Sequence, residues 1–211
     1  MLARVFPDLG VLAVTVNHVA GGFEHIFIAP LNSFGAFNEA TGLWEELPSM
    51  PHACGGVASG VIGNELFIAG GYGEGGVDLL TLQIYDIAGG SWRLGAALPE
   101  PRTGAIGVVA DGKLFVIARL SRDDLLVYDP RTDTWTEEAS PRCITYIFGK
   151  SHLTLLEATS ACAHNGRLVV FGGRALGGRA LERANDGSWS PYQVAAGGLE
   201  HYDLAESVIL G

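Results

Sequence analysis

Short apolar runs of about five residues, each closed by a tight turn or a glycine pair, recur along this chain. The clearest is Asn64-Glu-Leu-Phe-Ile-Ala-Gly-Gly-Tyr72, followed by Ile84-Tyr-Asp86 and then Trp92. Related runs are His25-Ile-Phe-Ile-Ala29, Lys113-Leu-Phe-Val-Ile117 and Arg167-Leu-Val-Val-Phe171. Runs this short, rich in branched and aromatic residues and bounded by turn formers, predict buried strands. Two of them end in a glycine pair, Gly70-Gly71 and Gly172-Gly173.

Four tryptophans set the period. Trp44, Trp92, Trp135 and Trp189 lie 48, 43 and 54 residues apart. Seven residues before the first three stand Phe37, Tyr85 and Tyr128; the fourth copy has Glu182 at that spacing. Self-similarity of this length predicts an array of units that bury their faces by stacking on one another.

An apolar strand, two glycines, a variable loop, a tyrosine and a tryptophan form a pattern that resembles the kelch repeat. The copies at 53–92 and 103–135 carry it best. The resemblance implies an all-β fold, a kelch-type β-propeller of about four to five antiparallel blades in a small or partial ring. It implies one domain over residues 1–211, with blades near 11–47, 53–94, 102–137 and 142–193 and a closing strand near 204–210. In the first blade, residues 12–16 are expected as the inner strand, Gly21-Gly22 as a turn and residues 25–29 as the second strand. Ala29-Pro30 then stands where the glycine pair belongs. From Pro101 to Lys113 is 12 residues, but from Pro141 to Arg167 is 26. An extra strand pair is therefore expected between Cys143 and Leu155. Asn165–Phe171, Asp186–Tyr192 and residues 205–211 are more specifically similar to the end of plant F-box/kelch proteins, although no F-box-like helical stretch is expected ahead of the repeats.

Composition narrows the partners. The 211 residues are 48% hydrophobic and 17% charged, with 30 glycines, which suits many short strands and tight turns. The formal net charge of −10 argues against nucleic acid and against anionic membrane. Three cysteines, Cys54, Cys143 and Cys162, with no Cys-x-x-Cys, argue for a reducing compartment. The apolar stretch 11–16 is too short, and lacks the basic start, for a cleaved signal. A cytoplasmic or nuclear protein, not a secreted one, is expected.

In kelch propellers, ligands meet the loops that follow each blade's second strand and the segments that enter each blade. Carried onto this chain, the first set gives Tyr72, Glu74, Arg119 and Arg174. The second gives His52, Arg102 and Arg142, each directly after a proline. The arginines suit carboxylate, phosphate or acidic peptide, which a guanidinium grips with paired hydrogen bonds. Bonding to carbonyls or blade carboxylates, as ring scaffolding, is the competing role for Arg102 and Arg142. Arg119 stands where the repeat prefers glycine, and a local break of that kind often marks function. Cys54 and Cys162, in small-residue strands, are expected to be buried and inert. No histidine or cysteine pair has metal-ligand spacing, so no metal or cofactor is expected.

Two functions remain open. One is a non-catalytic recognition module that binds a protein or peptide partner through loops on one propeller face, with Arg102, Arg119, Arg142 and Arg174 as readers. The other is a kelch-class enzyme (mutarotase, isomerase, lyase or cyclase) acting on a small anionic metabolite, with His52, Tyr72 and Glu74 moving protons. An incomplete ring would imply a homo-oligomer.

Overall fold

A computed structural model describes residues 14–15, 18–21, 29–117, 124–139, 143–147, 150–154, 160–171 and 180–192. The described chain is strand and turn, with one 3-10 turn at Glu74–Gly76. It forms four four-stranded antiparallel sheets and one hairpin, a partial kelch β-propeller. Blade one holds β1 (Val14–Thr15), β2 (His18–Ala20), β3 (Phe34–Asn38) and β4 (Leu43–Glu46). Blade two holds β5 (Ala58–Ile62), β6 (Glu65–Ala69), β7 (Leu82–Asp86) and β8 (Ser91–Leu94). Blade three holds β9 (Ile106–Ala110), β10 (Lys113–Ile117), β11 (Asp124–Asp129) and β12 (Thr134–Ala139). The hairpin β13 (Cys143–Ile147) and β14 (Lys150–Thr154) follows, within the stretch left over by the repeat spacing. Blade four holds β15 (Ser160–His164), β16 (Arg167–Phe171), β17 (Ala180–Arg183) and β18 (Trp189–Pro191).

Every blade is a meander, so each strand pairs with its neighbour in sequence. The inner hairpins close on two residues. Asp111-Gly112 and Asn165-Gly166 both place two consecutive residues at positive φ, the conformation whose twist matches the strands it joins. Inner strands touch in the order β1, β5, β9, β15.

Packing lies between blades. Blades one and two share Ala20, Phe34, Leu66, Ile68 and Tyr85. Blades two and three share Phe67, Ile84, Leu114, Val116, Leu126 and Tyr128. Blades three and four share Val108, Phe115, Ile117, Val127, Leu168 and Val170. Each fully buried side chain of this size stabilises by about 1.5–3 kcal/mol. The ring pairs Phe37–Trp44, Tyr85–Trp92 and Tyr128–Trp135 lie 4.9–5.5 Å apart and tilted, a favoured aromatic geometry.

The first blade departs from its sequence reading. Its second strand is β2, not residues 25–29, of which 25–28 lie outside the described residues. Gly21, read as a turn, holds the place of Gly70. The Gly21 N–H donates to Ser33 O at 2.9 Å, as the Gly70 N–H donates to Thr81 O at 2.9 Å. Both have φ near +66°, and a side chain on either would strike the carbonyl of the next linker, Cys54 O or Arg102 O. The weaker apolar run at 18–20 won because it is followed by the glycine that this close approach demands. The expected strand at 204–210 lies outside the described residues.

The fourth blade departs by one residue. Trp189 pairs with Arg183, as Trp135 pairs with Tyr128 and Trp92 with Tyr85. The turn before Trp189 is one residue shorter, so the position of the missing tyrosine belongs to Arg183 and not to Glu182.

Candidate functional site

A four-strand meander puts the loop between its second and third strands at the same end as its exit linker. In blade two that end carries the loop 70–81 and receives the linkers 47–57 and 95–105. Main-chain bonds tie them together. Gly55 and Tyr72 exchange hydrogen bonds of 3.0 and 2.7 Å, the Gly71 N–H donates to Arg102 O at 2.8 Å, and the Leu98 N–H donates to Leu80 O at 2.8 Å. The candidate residues His52, Tyr72, Glu74 and Arg102 are therefore gathered on one face, though in different settings.

His52 is exposed, and its main chain is clamped from below. The fully buried Gln83 accepts the His52 N–H at 2.8 Å and donates to His52 O at 3.1 Å and to Cys54 Sγ at 3.4 Å. A buried amide whose donors and acceptor are all engaged fixes the linker without the cost of an orphaned polar group. Burial pushes the Cys54 thiol up to about 11, the Gln83 bond opposing it, so this cysteine stays protonated and inert. Tyr72 is half-buried, and its ring lies where a side chain on Gly56 would meet it. Glu74 opens the 3-10 turn and is exposed.

Arg102 is the exception. It is only 1% exposed, among the largest fully buried side chains, and its Nη1 lies 2.5 Å from Glu100 Oε1. Burial beside that carboxylate is a setting suited to ring scaffolding, the competing role weighed for it. Counting from prolines also misaligned the linkers. Ala58 and Ile106 begin equivalent strands, and Met50 and Leu98 make equivalent bonds to Asn32 O and Leu80 O. In that register Arg102 corresponds to Cys54, and His52 to Glu100. Arg119, Arg142 and Arg174 lie outside the described residues.

The loop holds side chains that the sequence reading passed over. Residues 74–78 are all exposed, with Val77 at 61% and Leu80 at 41%. Val77 ends a glycine-rich stretch that reads only as loop, and Leu80, expected to open the third strand, precedes its start at Leu82. Gln83 had a visible signal, a lone amide inside the apolar run Leu82–Tyr85. Cys162, expected to be buried, is exposed on β15. Among the described residues no three His, Cys, Asp or Glu side chains gather as a metal would require. Nor, among them, is any helix long and apolar enough to cross a membrane.

Comparison with known proteins agrees with the architecture. The Kelch motif family matches residues 53–99, which covers blade two and the linker beyond it. Kelch-like protein 34 of Homo sapiens is 30% identical over 106 residues, 46% of this chain and 16% of that protein. Kelch-like protein 35 of Mus musculus is 27% identical over 139 residues, 63% of this chain and 24% of that protein. An F-box/kelch-repeat protein of Arabidopsis thaliana is 25% identical over 171 residues, 73% of this chain and 44% of that protein. The matched stretches thus span less than half the length of these curated relatives.

Proposed function

The chain is a member of the kelch-repeat family, and on that premise we propose that it is a non-catalytic recognition module for a protein or peptide partner. The partner meets the loop end of the blades. The observation that carries this reading is the loop 72–80, whose exposed run presents Val77 and Leu80 beside Glu74, with His52 on the neighbouring linker. Large apolar side chains held in water beside polar ones are the composition of an anchor surface for a macromolecule. Gln83 supports this by holding the His52 linker rigid, which lowers the ordering cost of binding. His52, Tyr72 and Glu74 are contact residues in this reading, and Arg119, Arg142 and Arg174 are its readers of anionic groups.

The test compares wild type with Val77→Asp/Leu80→Asp as baits in native extract. A specific protein retained by wild type and lost by the variant is the expected result. Both substitutions are at exposed positions, so the variant keeps its melting temperature. Equal retention by both baits overturns the reading. Capture of no protein, with a small carboxylate raising the melting temperature, supports an enzyme in its place.

A further inference from the structure

The loop after β6 is a small hairpin fastened at its base. Tyr72 and Asp78 form an antiparallel bridge, the Gly73 N–H donates to Val77 O at 2.7 Å, and the Leu79 N–H donates to Gly71 O at 2.9 Å. Leu79 packs into the core between blades one and two, and it fills the space that a side chain on Gly73 would need. The tip, 74–78, is thus exposed on a stem already in place, and a partner need not order it.

What the loop presents to water is apolar or acidic. Val77 and Leu80 are exposed, and so are Glu74 and Asp78. Carboxylates elsewhere on the blades are answered, Glu65 by Arg93, Asp129 by Arg131 and Glu138 by Arg183. Among the described residues Glu74 and Asp78 have no ion pair and no side-chain hydrogen bond. The described segments that reach this face are 29–33, 47–57, 70–81 and 95–105. They hold no lysine and a single arginine, Arg102, which is buried beside Glu100. Across the bridge, Tyr72 and Asp78 stand on the same side of the hairpin, and a carboxylate next to an aromatic ring suits an ammonium or guanidinium group. The net charge of −10 draws a cation toward the chain as a whole.

We propose that the segment taken up at blade two is basic and apolar: a lysine or arginine that meets Glu74 and Asp78, next to a large apolar side chain that covers Val77 and Leu80. This rests on the reading of the face as a recognition surface and names the partner's chemistry there. An acidic segment laid over this loop would meet two unanswered carboxylates and be turned away. Arg119, Arg142 and Arg174 belong to later repeats in the sequence, so an acid that answers them comes from another part of the partner. Exposed ion pairs are weak, so the apolar contact supplies the affinity and the charges supply the choice.

Random peptides displayed on phage and selected on the full chain test this. The enriched peptides pair a lysine or arginine with a large apolar residue. A fluorescent synthetic copy of one of them is then titrated into wild type, Glu74→Lys/Asp78→Lys and Val77→Ser/Leu80→Ser. All four positions are exposed, so each variant keeps its melting temperature. Charge reversal weakens binding about tenfold, and added salt weakens binding to wild type but not to that variant. The serine pair also weakens binding, with the salt dependence unchanged. Enrichment of acidic or uncharged peptides overturns the inference, and so does a charge-reversed variant that binds as wild type does. In either case, loss of binding by the serine pair leaves the recognition surface standing. Peptides indifferent to both variants, or no enrichment at all, sink the two together.

Discussion

Blades two and four follow one plan and are held in different ways. Blade two faces blade three with Phe67, Leu82 and Ile84, all buried, and Tyr85 lies against both Trp92 and Phe34 on its other side. Blade four places Arg183 at the tyrosine position. Its guanidinium lies 5.2 Å over the Phe115 ring and holds Glu138 through Nε at 2.7 Å and Nη2 at 2.6 Å. Toward the end of the array, Glu182 stands where Ile84 and Val127 stand in blades two and three. The inner strands differ too. Gly107 of β9 lies so close to β5 that a methyl group there would fall on the Ser59 main chain, whereas β15 carries Ala161 at the same place. A blade between two others is specified by apolar volume. Blade four is specified in part by charge, with Arg183 and Glu182 at positions that are apolar or aromatic in blade two.

The largest expected effect falls on the middle junction. Phe67→Ala removes a fully buried ring between blades two and three and costs about 3–5 kcal/mol. Val169→Ala, at the same register in blade four, costs about 1–3 kcal/mol. Urea titration of both variants checks the pair, and equal losses would erase the distinction between blades two and four.

Gly107→Ala comes next. It forces β9 away from β5 and costs about 1–3 kcal/mol by overpacking. Ala161→Gly in blade four, where no such approach exists, costs no more than about 1 kcal/mol. Matched melts of the two variants decide it.

Arg183 tests whether charge replaces the aromatic. Arg183→Ala loses the contact with Phe115 and leaves Glu138 unanswered, at about 1–2 kcal/mol. Arg183→Tyr restores the ring that blades two and three use and recovers most of that loss in a thermal melt. Failure of tyrosine to outperform alanine would mean that the shorter turn before Trp189 has already rebuilt the position.

The smallest effect is in acid. The Arg131 guanidinium and main-chain N–H hold the Asp129 carboxyl down to about 2, below its usual 3.8. A depressed carboxylate contributes stability above its unfolded value and loses it as pH falls through the folded one. Blade three's outer turn should therefore be unchanged by Asp129 above about pH 4 and loosen only toward pH 2. An NMR titration of Asp129 follows this directly, and a midpoint near 4 would break the assignment.

Much of this architecture was legible because it repeats. The tryptophan period, the apolar runs and turns such as Asp111-Gly112 fix where blades two and three begin and end, since each is a local statement about backbone and burial. The first blade was misread where its signal is worn. Residues 25–29 make a better apolar run than His18–Ala20, but only the latter is followed by a glycine that lets the next linker's carbonyl approach. The candidate site was legible as a set of loops and not as a set of side chains. Proline told where each linker begins, but it does not set register, so His52 was matched to Arg102 when Cys54 is its counterpart.

The sequence by itself determined the repeat, the strands, the turn types and the end of the blades to which the loops belong, because these depend on residues near one another in the chain. Only the tertiary structure decided which linker residue turns inward. It buried Arg102 beside Glu100, set Gln83 under His52, left Val77 and Leu80 in water, and gave Arg183 the place of a tyrosine. Those outcomes depend on how neighbouring blades fill the wedge between them, and that fit is a property of two segments some fifty residues apart, which no local pattern records.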